Sequence, residues 1–292
     1  MSTVTIANSN FSSFIAYWKE KAQGNSATEP TDWTNDHKDL SNWDVGNVTS
    51  LRDAFKNYAG QFDDGTYPGD ITGWNTVNVT TMREMFSKYG TYNFNQDISS
   101  WNTSKVQTMY KMFANESFNN GGQSLLTNYV TGSAYTAWDV SNVTNMGNMF
   151  QGNTSNIFNQ DISNWNISKV ISISYMFYVG YSYTWINAFN QDISTKTITA
   201  ANSPYKDGSG NGIAYTAWDT QNVQYMNSTF EQATVFNNDI TLWNVSNVKN
   251  MSKLFYGTKK IFGGSTDITN WNVSNVTDMN YMFGGAVKAN PD

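Results

Sequence analysis

The chain has 292 residues, 39% hydrophobic and 14% charged, with Lys+Arg 17 against Asp+Glu 23 for a net charge of −6. That balance and a pI near 4.7 argue against a surface built to neutralise phosphates, so no nucleic-acid partner is expected. Cys is 0 and His is 1, which excludes thiolate nucleophiles, disulfide frameworks, iron–sulfur clusters and His-rich zinc sites, and no cofactor is expected.

The first 36 residues lie outside the pattern that fills the rest of the chain. No basic region followed by an apolar run opens the sequence, so neither a secretory signal nor an anchor is expected. No stretch approaches the ~20 apolar residues of a membrane span, so no membrane insertion is expected. Phe11 to Ala22 is amphipathic, with Phe11, Phe14, Ile15 and Trp18 on one helical face, and reads as a cap over the first repeat. His37 stands alone in this entry segment and reads as a solvated residue, with no Ser or acid at triad spacing.

From residue 37 to 285 one block recurs eight times. Trp43, Trp74, Trp101, Trp138, Trp165, Trp218, Trp243 and Trp271 are each followed by Asp or Asn at +1, Val at +5, Met, Leu or Ile at +8 and Phe at +12. Eleven of the 12 Met residues fall at +8 or +11. The pattern I-x-x-W-x-V-x-x-V has the spacing of a leucine-rich-repeat strand centred on W-x-V. Apolar positions +5, +8, +11 and +12 then predict a short helix, with Thr49, Thr80, Thr144 and Thr277 at +6 as its N-caps. The expected fold is therefore an α/β, leucine-rich-repeat-like solenoid of eight strand-turn-helix repeats with an N-terminal helical cap, because one unit cannot bury its apolar face alone.

Trp-to-Trp separations of 31, 27, 37, 27, 53, 25 and 28 mark two long insertions. They end SAYTAWDV and IAYTAWDT, and read as hairpin excursions near 118–135 and 193–215, the second turning near Asn211-Gly212. A third, aromatic excursion covers 178–188. Residues 286–292 form a tail, and no C-terminal cap is expected over the last repeat's edge.

The phrases FNQDISNWNISKV, TAWDVSNVTNMGNMF and WNVSNVTDMNYMF resemble the repeat of BspA-like leucine-rich-repeat surface proteins, including the mycoplasma-type lipoprotein repeats, over about Leu40 to Gly285. The resemblance implies a non-catalytic surface protein linked to adhesion or host contact.

Two sets of residues are candidate contacts. If W-x-V is a strand, the +1 side chains Asp44, Asn75, Asn102, Asp139, Asn166, Asp219, Asn244 and Asn272 form a polar ladder. That ladder either binds a long ligand or satisfies its own turns. The insertion aromatics Tyr129, Tyr135, Tyr178, Tyr181, Tyr183, Trp185, Tyr205 and Tyr215, mixed with Gly and Ser, suit an interaction surface or pack back onto the repeats. Asp207-Gly-Ser-Gly-Asn-Gly imitates a calcium loop but lacks an acid at position 12, where Trp218 stands, and reads as a turn. Phe62-Asp63-Asp64-Gly65 is weaker still. The Asp residues four before Trp repeat with the architecture, so they read as structural rather than as a catalytic pair, and no enzyme is expected. The expected function is surface-displayed binding to a protein or glycan surface through the insertion loops and ladder face. The alternative is a virion or other particle component that contacts copies of itself or other particle proteins. Either role places the chain on a cell or virion exterior.

Overall fold

The computed structural model describes residues 3–58, 69–87, 94–114, 118–131, 135–152, 155–180, 186–261 and 266–287. The expected solenoid of eight strand-turn-helix units does not form. Among the described residues there is one α-helix, α1 (Asn8–Ala22), with four single-turn 3₁₀ segments. Eight strands of two or three residues make four two-stranded sheets. β1 (Val4–Thr5) pairs in parallel with β2 (Trp43–Asp44), and β5 (Ser155–Asn156) with β6 (Ile186–Asn187). β3 (Asn128–Val130) pairs antiparallel with β4 (Tyr135–Ala137), and β7 (Lys196–Ile198) with β8 (Tyr215–Ala217).

The expected helix fails for one local reason. The residue ten after each tryptophan, Asp53, Glu84, Lys111, Asn148, Tyr175, Ser228, Lys253 and Tyr281, has φ between 53° and 59°, which an α-helix cannot contain. Backbone bonds in this segment close over three residues, as from Met85 N–H to the Met82 carbonyl (3.2 Å) and from Met112 to Met109 (3.0 Å). A left-handed third residue inside such a closure is the requirement of a type II turn. Successive three-residue turns bring apolar side chains round at +5, +8 and +11 just as a helix would. The W-x-V strand is likewise confined to β2. At Trp74, Trp101, Trp165, Trp243 and Trp271 the backbone N–H instead donates to the carbonyl three residues earlier.

The turn makes stacking possible. It aims the N–H groups at +8, +10 and +12 toward the next repeat, where they meet the carbonyls at +7, +9 and +11. Met82 donates to Thr108 (3.1 Å), Glu84 to Tyr110 (2.9 Å) and Phe86 to Met112 (2.9 Å), and the same three bonds recur at all seven steps between the eight repeats. Parallel bridges run through Ser50, Thr81, Thr108, Asn145, Ser172, Tyr225, Asn250 and Asp278 in one unbroken register. The predicted N-cap threonines serve this ladder instead. Both the N–H and the hydroxyl of Thr80, Thr144 and Thr277 donate to the carbonyl at +6 of the preceding repeat.

Inside the column the side chains stack in kind. Trp165 lies parallel to Trp138 (6.2 Å) and to Trp218 (6.5 Å), and its Nε1 donates to the Leu125 carbonyl at 2.7 Å. The +12 phenylalanines form a second stack, from Phe55–Phe86 at 5.5 Å to Phe255–Phe283 at 5.8 Å. A third, which the sequence reading passed over, is Phe94, Phe118, Phe158, Phe189 and Phe236, each within 3.7 to 4.3 Å of a +12 phenylalanine. Parallel aromatic pairs at the 5.5–6.5 Å spacing of the first two stacks stabilise by roughly 0.5–1.5 kcal/mol each beyond their buried area.

α1 covers the first repeat. Phe11 packs edge-on against Trp43 and Trp74, Trp18 against Phe55, and Asn8 Oδ1 accepts from the N–H and hydroxyl of Thr49. Asn8 thereby occupies the place that a preceding repeat's carbonyl takes elsewhere. His37, expected in solvent, is buried between Trp33 and Phe14, and its Nδ1 accepts from the Thr34 N–H at 3.0 Å.

Two predictions follow from these contacts. Lys111→Gly should be neutral or stabilising by up to about 1 kcal/mol, whereas Lys111→Val should cost about 1–2 kcal/mol, because only glycine is at ease in the left-handed region. Urea unfolding that placed Val above Gly, the order of a helix, would refute the turn. Burial also holds the His37 pKa below its usual value near 6.5. The unfolded chain then binds the extra proton first, so this contribution is present above about pH 6.5 and lost as pH falls toward the lowered pKa. Melting temperatures should drop over that window, and His37→Phe should flatten the drop there. Equal slopes in both proteins would show that His37 is not its source.

Candidate binding grooves

The +1 ladder is first of all a set of turn closures. The Oδ1 of Asp44, Asn75, Asn102, Asp139, Asn166, Asp219, Asn244 and Asn272 accepts the N–H two residues on, at distances from 2.8 Å for Asp139 to 3.3 Å for Asn75. The Asp residues four before tryptophan do the same, as in Asp70 to Thr72 and Asp239 to Thr241. A further column went unread in the sequence. Asn78, Asn142, Asn222, Asn247 and Asn275, at +4, donate from Nδ2 to a carbonyl of the preceding repeat at 2.7–2.8 Å. Its signal was present in the phrase S-N-V, where Asn alone supplies a donor of that reach.

Where the insertions enter, the pattern changes. Incoming β4 and β8 extend up to Trp138 and Trp218, whose φ values of 45° and 48° turn the chain back into the stack. Their N–H groups donate to the Trp101 and Trp165 carbonyls. The second insertion then folds across the first. The Tyr205 hydroxyl donates to Asp139 Oδ1 at 3.0 Å, the Tyr215 hydroxyl to the Asn164 carbonyl at 2.5 Å, and the Thr136 hydroxyl to the Pro204 carbonyl at 3.3 Å. Tyr205 and Tyr215 meet edge to face at 4.9 Å. Burial, reinforced by the Asp139 carboxylate, pushes both phenols far above the ordinary tyrosine range. These two tyrosines fasten the second insertion to the repeats beside the first, and the Thr136–Pro204 bond joins the two hairpins directly. The loop beyond them is a turn, with Asp207 Oδ1 accepting from the N–H groups of Ser209 and Asn211 at 2.8 Å. Gly212 is required there, since a Cβ would fall 1.8 Å from the Ala200 carbonyl oxygen.

Two grooves flank the β3–β4 hairpin. Tyr129 pairs across the hairpin with Thr136, and Tyr135 with Val130, so the pleat sends the two tyrosines to opposite faces. One groove, about 550 Å³, runs along the seam between the insertions, lined by Gln123, Asn128, Tyr129, Asn202 and Lys206 among others. The other, about 630 Å³, lies over the ladder face between Thr72–Val77, Asn102 and Tyr135, whose hydroxyl donates to the Ser100 carbonyl. Of the predicted ladder residues the structure thus brings Asn75 and Asn102 to a groove with Tyr135, and Asp139 to the seam contact. Asp44, Asn166, Asp219, Asn244 and Asn272 line neither. Tyr178 packs on Tyr175 away from both, and Tyr181, Tyr183, Trp185 and the Phe62–Gly65 motif lie outside the described residues. Among the described residues no three His, Cys, Asp or Glu side chains converge as a metal site would require, and no helix is long and apolar enough to cross a membrane.

Fold and site together define a repeat protein made of stacked turns, with two grooves carried by its insertions. A family profile described as "Mycoplasma protein of unknown function, DUF285" matches residues 31–136, 131–209 and 189–292, and the chain belongs to that family. The kinship is with this mycoplasma repeat and not with BspA-like leucine-rich repeats specifically. No curated protein and no solved structure matches the chain.

Tyr205→Phe should cost about 1–3 kcal/mol, the loss of a buried hydrogen bond to a carboxylate. Hydrogen exchange should accelerate selectively over 196–217. Unchanged exchange there would show that the Tyr205–Asp139 bond does not hold the seam.

Proposed function

We propose that this chain is a non-enzymatic binding protein displayed on an exterior surface, and that it binds a protein or glycan surface at the seam between its two hairpin insertions. The observation that carries the reading is the union of the insertions. Two segments far apart in sequence, and absent from the other repeats, meet at the Thr136–Pro204 bond, with Tyr205 and Tyr215 anchoring the second to the adjoining repeats, and both line one groove. A repeat whose only task was to stack would need neither. Ligand sites characteristically gather where loops on a rigid frame converge. The use of the recurring Asp side chains to close turns fits this reading, since it gives them a scaffold role in every copy.

A particle component remains the second reading, favoured by the last described repeat. Met279 is 40% exposed and Tyr281 71% exposed, and the buried Trp271 Nε1 has no partner among the described residues, whereas the equivalent interior tryptophans donate to a preceding repeat.

Binding of the fluorescent full chain to a panel of fixed animal cells separates the two. We expect saturable binding that Asn202→Arg, which crowds the groove, weakens at least tenfold and the remote Leu242→Ala leaves unchanged. Equal binding by Asn202→Arg would remove the seam from the mechanism. No binding together with a defined oligomer in light scattering would favour the particle.

A further inference from the structure

We infer that the seam groove takes a neutral, hydroxyl-rich oligosaccharide; this rests on the binding role proposed for the same groove. The first reason is which polar groups the fold leaves unused. In the repeats, the Asx side chains of the +1 and −4 columns close turns, and five Asn of the +4 column bond to the preceding repeat. In the groove, the side chains of Gln123, Asn128, Tyr129, Asn202 and Lys206 make no hydrogen bond with any described residue. Asn164 nearby shows the contrast, being locked to Thr127 in a reciprocal pair of 2.9 and 2.7 Å.

The chemistry of these free groups is specific. Three of them are carboxamides, each offering two donors and an acceptor, which match the donor-and-acceptor hydroxyls on adjacent ring carbons of a sugar. No carboxylate lines the groove and Lys206 is its one cation, so nothing there balances a strongly charged ligand. Tyr129 supplies a flat apolar face with a polar tip, against which the C–H face of a pyranose can lie. Its orientation is set by the pleat, since Tyr129 stands opposite Thr136, and Thr136 is bonded to the second insertion at Pro204. A peptide would ask for apolar pockets to seat alternate side chains. The groove's aliphatic lining is limited to Leu126, Ala201 and Pro204.

Saturation-transfer NMR on the full chain, with maltotetraose, cellotetraose, chitotetraose and mannotetraose as probes, tests the inference. We expect at least one to bind with a Kd near or below about 1 mM, Tyr129→Ala and Asn202→Ala each to weaken it about tenfold, and Leu242→Ala to leave it unchanged. Circular dichroism checks that the variants are folded, and Asn202, exposed and unbonded, can be replaced without opening the core. Silence from all four sugars while cell binding stays sensitive to Asn202→Arg would overturn the ligand class and leave the seam's binding role standing. Binding only of a sialylated probe, lost in Lys206→Gln, would also overturn the neutral class. Sugar binding untouched by both variants would place the ligand elsewhere, and insensitivity of cell binding as well would remove the binding role too.

Discussion

The whole molecule depends on one backbone constraint, the left-handed residue ten positions after each tryptophan. It breaks the helical continuation and points three alternate N–H groups out of the repeat plane toward the next copy. A buried backbone amide without a partner costs about as much as a lost hydrogen bond, so each repeat is completed only by its neighbour. Cooperativity along the stack is a direct consequence, as in other linear repeat proteins. No glycine stands at these eight positions, so every repeat accepts a left-handed strain of roughly 1–2 kcal/mol. Three inter-repeat hydrogen bonds and the Trp and Phe stacks offset it.

Because the ladder's register is set by seven residues of each block, what lies between blocks is free to vary. The step from Ile173 to Tyr225 spans the 53-residue gap with the same three bonds as a 27-residue step. Insertions therefore loop out without disturbing the stack. Their strands re-enter through left-handed Trp138 and Trp218, a strain that appears only where the insertions join.

Polar side chains divide the same way. In the repeats, Asx and hydroxyl groups replace much of the hydrogen bonding that helices and long strands supply in other folds, which explains a chain so rich in Asn, Ser and Thr yet only 14% charged. At the hairpin seam that accounting stops and unbonded amides face solvent. At the seam the amides of Gln123, Asn128 and Asn202 gather on one groove, and that clustering sets it apart from the ordered columns of the repeats.

By itself, the sequence determined the eight blocks, their register, the Trp and +12 Phe columns, the amphipathic cap and the structural character of the Asp column, because fixed spacing of apolar and Asx residues reports shared position. It did not decide between helix and turn. Apolar side chains at +5, +8 and +11 satisfy both, and residues as different as Lys111, Tyr175 and Ser228 at +10 carry no mark of a left-handed φ. The run from +5 to +12 is eight residues, short for a helix, and that brevity was the available warning. Phe94 and Phe158 recur seven residues before Trp101 and Trp165, so the third aromatic stack was legible in the FNQDIS phrase and was passed over. Burial of His37 was not legible, since it depends on Trp33 and Phe14 arriving from separate segments. Only the tertiary structure decided that Tyr205 reaches Asp139, 66 residues away, and that Tyr129 and Tyr135 face opposite grooves. Contacts between insertions obey no repeat, so no periodicity in the chain can announce them.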